Sequence, residues 1–434
     1  MMESKYIILL SIIAMDIFVY SLSIPYFPSV LLEFEGNDNG TIYFGISQSV
    51  GNGLAMFSGI ITGYLSDKYS RKGAVFVSQI FAGICCLLIS IGMYYNKTFY
   101  MSIYFLLAGY TLRKMNRTNA AMTAYAVDVT PKEQRDKQIS RANGVMGVGF
   151  ACGPAVVGFL STLMPRELIF LFGSFVSFFN AFLAFNFLIS SSSKTNYASS
   201  SSAVTWESIK AVIFHKKMIN IFTIYFFGCL GQFCYIATIG VVAPIRFGIK
   251  GTNYGYMVSF FGISYAFGQL IFVPWVCKNY GSEKSRFMAS LLITGLGRFY
   301  LGITKSVYML FTLHFFVALG TALFMHSTII KVNKFGNEYN LVGTVNGAMD
   351  SVRRCSGVLA PMIAVPIHYM YYETDGSGVS PGAILASCFY FAGFAIAFFI
   401  LSDNNGSDNN EGKLKKDDVN IVKQKYDGVK KKRQ

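Results

Sequence analysis

The chain has 434 residues, 53% of them hydrophobic and 14% charged, with a mean hydropathy of +0.45 and a formal charge of +15. A soluble domain carries about 25% charged residues, so these are too few to cover a water-facing surface of this size. The 16% aromatic content excludes a disordered chain, and at about 20 residues per crossing the length suits roughly a dozen membrane spans.

Apolar segments recur at about 6–32, 42–65, 73–95, 99–127, 141–163, 167–190, 218–244, 253–276, 286–304, 307–330, 341–371 and 382–401. The first is too long for a cleaved signal and contains Asp16, Pro25 and Pro28. With no water in the bilayer core, a strand would leave its backbone unpaired, so the segments are expected to be helices. The expected fold class is an all-α polytopic membrane protein of twelve transmembrane helices.

Orientation follows from the basic residues. With a cytosolic N-terminus, 26 of the 37 Lys and Arg fall in inner segments and five in outer loops (Lys97, Arg166, Arg246, Lys250, Lys305). This is a positive-inside distribution, and it puts both termini in the cytosol. It also accounts for most of the positive charge, which argues against nucleic acid as a partner. The sequons at Asn39 and Asn96 would then face outward on short loops. Seven of the eight cysteines fall inside spans and Cys277 in a loop, without metal spacing or a disulfide framework.

The Ser-rich stretch 191–217, with Trp206, Glu207, Lys210, His215, Lys216 and Lys217 toward its end, reads as a cytosolic linker closing in a short interfacial helix. It separates a half of six helices at 1–190 from another at 218–401, followed by a basic tail at 402–434. The halves look alike. Asn143-Gly144-Val145-Met146 with Cys152 recurs 203 residues later as Asn346-Gly347-Ala348-Met349 with Cys355. Tyr43 and Gly51 recur at an offset of 211 as Tyr254 and Gly262. Parallel repeats of this kind commonly rock against each other around a site at the membrane midplane.

Between the second and third spans stands Gly63-Tyr64-Leu65-Ser66-Asp67-Lys68-Tyr69-Ser70-Arg71-Lys72. It resembles the signature loop of the major facilitator superfamily. Asp16 with Pro25 and Pro28, the stretch from Tyr125 through Asp128 to Pro131 with Glu133 and Arg135, and Gly149, Gly153-Pro154 and Gly158 resemble the drug:proton antiporter branch that includes tetracycline exporters. Within the chain, 254–270 and 327–361 look closest to animal organic-cation-transporter-like proteins. The departures are Ser70 where the family prefers Gly, Lys278 in the second-half counterpart loop, and Gly109 or Tyr110 where the family's fourth-span Arg would fall. Arg113 lies about one turn later, and whether it substitutes stays open.

The resemblance implies alternating access around a central cavity lined by the first and fourth spans. It also implies that Asp67, with Gly63, Arg71, Asp128 and Arg135, docks the cytosolic side shut. For Gly149, Gly153 and Pro154 it implies a seal against leak during the swing. The same three residues equally describe a packing motif with a kink.

Six cations (Arg113, Lys114, Arg117, Arg298, Arg353, Arg354) and two acids (Asp16, Asp350) lie inside spans. At membrane depth each costs about 2.5–3.5 kcal/mol even on lenient scales, so a functional reading is the default. Asp16 is expected to pair with Arg117 or Arg113 and to carry the coupling proton or a substrate cation. The plainer reading is an ion pair that holds helices together. Asp350, Arg353 and Arg354 stand at i, i+3 and i+4, where they either neutralise one another or face substrate. Arg298 reads as snorkelling or touching a lipid headgroup. His314 and His326, in the tenth span, are weak proton-relay candidates.

No G-x-x-x-x-G-K-S/T loop, nucleophile elbow or metal-binding repeat occurs, so neither ATP-driven pumping nor an enzyme is read here, and no cofactor or metal. The function expected is a proton-coupled secondary transporter of small organic solutes, acting as a monomer in the lipid bilayer. Resemblance suggests organic cations or drugs. The net +4 within the spans favours an anionic substrate instead. A non-transporting receptor or scaffold of the same fold is the remaining alternative. The tail ends Lys430-Lys431-Lys432-Arg433-Gln434, read equally as a dilysine-like retrieval signal or a lipid-attracted basic tail. The plasma membrane and internal membranes both remain open.

Overall fold

The computed structural model describes residues 2–68, 71–95, 101–116, 122, 135–188, 214–249, 252–338, 342–375 and 379–403. Among these, every regular element is a helix, as the bilayer demands. Helical backbone runs through Met2–Lys68, yet this run folds back on itself. The rings of Phe27 and Phe44 lie 6.1 Å apart, whereas a straight helix rising 1.5 Å per residue would separate them by ~26 Å. Its two antiparallel arms are the first and second spans.

The third to seventh spans are Arg71–Tyr95, Ser102–Met115, Arg135–Leu160, Arg166–Phe187 and Lys216–Phe247. The eighth runs as Thr252–Phe267, a π-helical turn Gly268–Phe272, and Val273–Asn279. The ninth to twelfth are Glu283–Ile303, Val307–Glu338, Val342–Asp375 and Pro381–Asp403. Seven helical segments of the described residues are long and apolar enough to cross a membrane on composition alone. The fourth, ninth and eleventh spans are not among them, and these hold the interior charges other than Asp16.

Three local expectations change. The fourth span, expected to run to about 127, breaks after Met115, because Asn116 is extended at φ −65°, ψ 123°; Met122 is helical again, and 117–121 and 123–134 lie outside the described residues. Ser58 of the second span donates to the Met115 carbonyl at 2.6 Å, which satisfies a group the break would otherwise orphan. Cys277, expected in a loop, belongs to the helix Val273–Asn279. His215, assigned to the linker, instead caps the seventh span by accepting from the Lys217 backbone N–H at 3.3 Å. The rest of the linker, 191–213, lies outside the described residues, as does the tail beyond 403.

The buried apolar side chains form clusters that each draw on residues before 189 or after 217, never on both. The first of these two groups meets the second along two unlike seams. The fifth and eighth spans meet backbone to backbone: a Cβ on Gly262 would stand 2.8 Å from Ala151 Cα, and one on Gly255 would stand 2.7 Å from the Pro154 carbonyl. Small residues allow this approach. The second and eleventh spans meet through polar groups. Ser49 donates to the Val358 carbonyl at 3.0 Å and Asn52 to the Gly357 carbonyl at 3.1 Å.

Candidate functional site: charges inside the bundle

Asp16 sits mid-way along the first span, and Arg113 in the last described turn of the fourth. Both are buried, at 5% and 4% exposure. Arg113 Nη2 donates to Asp16 Oδ1 at 2.8 Å and to the Asp16 backbone carbonyl at 3.0 Å. The guanidinium also lies 5.6 Å from the centre of the Tyr20 ring, one turn along the first span. A carboxylate this dry must be paired or protonated, since an isolated charge there would be prohibitive. Of the two partners expected for Asp16, the structure supplies Arg113; Arg117 lies outside the described residues.

Gly109, where the family would place an Arg, packs against the third span. A Cβ there would meet the Cys85 carbonyl at 2.8 Å, so no long side chain fits. Tyr110 is stacked on Phe27 at 3.5 Å and accepts from Gln48 Nε2 at 2.9 Å. The first basic position able to reach Asp16 is therefore Arg113. Lys114 is buried as well, with its ammonium 5.3 Å from the Tyr110 ring centre. It runs past Gly51, whose missing side chain leaves the space.

In the eleventh span the three charges separate. Asp350 Oδ1 lies 3.7 Å from Arg354 Nε. Arg354 Nη1 also crosses to the second span, donating to Asn52 Oδ1 at 3.0 Å. Arg353 joins neither. Its guanidinium stands 6.0 Å from the Phe233 ring centre and is solvent-exposed.

Arg298 corrects an expectation. It is 0% exposed and reaches neither lipid nor interface. Its Nη2 donates to Gln232 Oε1 of the seventh span at 2.7 Å, and its guanidinium stacks 3.7 Å above Tyr235. Snorkelling fails because the side chain points into the bundle, where a glutamine oxygen and an aromatic face replace water. Tyr235 lies 2.7 Å from His314 Nε2, whose Nδ1 faces the Leu310 carbonyl at 2.8 Å. A carbonyl only accepts, so Nδ1 carries the hydrogen. His314 is thus held between two partners. His326 lies apart from it, beside Cys277, Glu283 and Arg286.

Of the gating residues, Gly149 and Gly153 face the first span. A Cβ on Gly149 would stand 2.7 Å from the Ala14 carbonyl, and one on Gly153 would collide with Ser21 Oγ. Ser21 Oγ donates to the Gly149 carbonyl at 3.2 Å. Pro154 lies in the same helix, against Gly255. Gly63, Asp67, Arg71 and Arg135 have helical backbones, and their side chains lie outside what is described, as does the whole of Asp128. No group of three or more His, Cys, Asp or Glu able to hold a metal occurs among the described residues.

A family model described as Major Facilitator Superfamily matches residues 9–361. The class H tetracycline resistance protein of Pasteurella multocida is 25% identical over 393 residues, covering 88% of this chain and 94% of that protein. The class B protein of Escherichia coli is 22% identical over 373 residues, covering 85% and 89%. Among solved structures, the human organic anion transporter MFSD10 (TETRAN) matches with a TM-score of 0.66 at 16% identity, covering 91% of this chain and 99% of that one. The nucleoside transporter NupG matches with 0.65 at 14% identity, covering 92% and 99%. At these identities the two structures establish the fold alone. With a match through most of its length and a bundle of apolar helices, this chain is an integral, multi-pass membrane transporter and belongs to the major facilitator superfamily.

Proposed function

We propose that this protein is a proton-coupled secondary transporter that carries small organic solutes by alternating access. The observation that supports it best is the Asp16–Arg113 pair. While the helices stay together, Arg113 supplies the counter-charge of the Asp16 carboxylate. If the first and fourth spans part, Asp16 loses its counter-charge at membrane depth, and taking up a proton becomes the cheaper way to stay there. Protonation is thereby tied to conformation, which is what coupling requires.

The swing would rock residues 1–190 against 218–401 about the fifth–eighth and second–eleventh seams, in a monomer with both termini in the cytosol. Resemblance to the tetracycline exporters and the organic-cation-transporter-like proteins favours a cationic, drug-like solute; the likeness in fold to the human organic anion transporter favours an anionic one.

Reconstitution into liposomes with an imposed proton gradient, screening cationic and anionic solutes, tests the reading. Gradient-driven flux that Asp16→Asn abolishes is expected. Flux of no solute, as from a receptor or scaffold, would overturn it, and so would flux whose pH dependence survives Asp16→Asn.

A further inference from the structure

We propose that an internal cleft of the second half, between the seventh, eighth and eleventh spans, takes a small organic anion, and that Arg353 is the residue that binds its carboxylate or equivalent group. The proposal rests on reading the chain as a carrier and deepens it by naming the substrate's charge.

The first argument is position. On a helix, residues three, four and seven apart share a face. Arg353 shares one with Met349, Ser356, Gly357 and Ala360, all buried against the protein. The face turned toward lipid is another, marked by Leu359, Met362 and Met370 at 36%, 62% and 68% exposure. Arg353 is nevertheless exposed. It also lies within electrostatic reach of Tyr225 and Cys229 of the seventh span, Tyr265 of the eighth, and Asp350 on its own helix. A side chain that points among its own helices and still meets solvent lines an internal cleft.

The second argument is charge. Within the membrane-depth part of 218–401, the cations are Arg298, Arg353 and Arg354, and the one acid is Asp350. Arg354 takes that acid. Arg298 has a glutamine and a tyrosine ring but no carboxylate among the described residues. Arg353 has a phenylalanine ring and no hydrogen bond or ion pair among the described residues. A guanidinium on this interior face, with no ion pair of its own and only the longer-range field of an Asp350 that Arg354 also shares, presents up to five donors in a planar fork. That fork matches a carboxylate bidentately. A solute cation meets the opposite situation, because both acids in the interior, Asp16 and Asp350, already hold an arginine. The half-buried rings of Phe233 and Tyr265 would flank an apolar or aromatic body attached to the anionic group.

Equilibrium binding to the purified full chain tests this. The probes are benzoate, neutral benzamide of the same shape, and the tetraphenylphosphonium cation. The wild-type protein is expected to bind benzoate and to discriminate against both others. Arg353→Gln should weaken benzoate by about ten- to a hundredfold, the range for one hydrogen bond to a charged group, and Arg353→Lys should recover part of that. Because discrimination among the probes is read on the wild type, the test stands even if Arg353→Gln folds poorly.

Preference for tetraphenylphosphonium, or benzoate binding untouched by Arg353→Gln, would overturn the proposal. Liposome flux of the same probes separates the two readings. Cation flux with no benzoate binding sinks the anion site and leaves the carrier standing. Benzoate binding through Arg353 with no flux of any probe upholds the anion site and sinks the carrier.

Discussion

Arg113 holds Asp16 twice, by the carboxylate at 2.8 Å and by the backbone carbonyl of the same residue at 3.0 Å. The arginine is thus fastened to the first span whether or not the carboxylate is charged. Arg113→Gln leaves a buried carboxylate without its cation, a loss of about 3–5 kcal/mol for a pair of this burial. It should lower the unfolding temperature in detergent markedly. Asp16→Asn keeps an acceptor and should cost less. The double variant should be more stable than Arg113→Gln alone; strict additivity of the two single effects would show that the pair is not coupled.

Asn52 bridges the halves, donating to the Gly357 carbonyl and accepting from Arg354. Asn52→Ala removes both bonds, worth about 0.5–1.5 kcal/mol for the neutral one and more for the charged one. A two-state carrier should then shift toward the state in which this seam is open. Spin labels at positions 42 and 371, both exposed, should report a longer distance between the second and eleventh spans. An unchanged distance distribution would mean that the seam does not separate.

Two glycines, one in the fifth span and one in the eleventh, should respond in opposite ways. Gly153→Leu drives a side chain into Ser21 and the Phe18 carbonyl, and overpacking of this kind costs about 1–3 kcal/mol. Gly347 has nothing within 4 Å of a built Cβ and lies inside a helix. Gly347→Ala should therefore stabilise by about 0.5–1 kcal/mol through helix propensity. Thermal unfolding of the two variants beside the wild type checks both signs.

Tyr235→Phe removes the hydroxyl partner of His314 Nε2 and leaves the ring under Arg298. The buried imidazole nitrogen then lacks a partner, a cost of about 1–3 kcal/mol. A structural role for this cluster predicts a lower unfolding temperature with gradient-driven flux per folded molecule unchanged. Altered pH dependence of that flux would instead make His314 part of the proton path.

Much of the architecture was legible in the residues because hydropathy alone decides where a helix crosses a bilayer. The interior charges were equally legible, since each is conspicuous against an apolar run. Their partners were not. The i, i+3, i+4 spacing of Asp350, Arg353 and Arg354 allowed either arginine to take the acid, and the choice of Arg354 follows from Asn52 reaching across from a helix some 300 positions away. Arg298 was misjudged for the same reason. Its span reads as peripheral, and nothing local shows that Gln232 and Tyr235 lie opposite it. The repeat offsets also hid a difference: Gly144 is pressed on Leu270, whereas its counterpart Gly347 meets open space.

The sequence by itself determined that this chain is a membrane-embedded bundle of helices, what family it belongs to, and how many charges lie inside. Those properties depend on composition and local order, which a bilayer reads segment by segment. Only the tertiary structure decided which charges cancel. Ion pairing depends on side chains from distant spans coming within about 4 Å, and that distance is set by packing. Asp16 with Arg113 and Asp350 with Arg354 are neutralised pairs; Arg353, one residue from a paired neighbour, is left facing water.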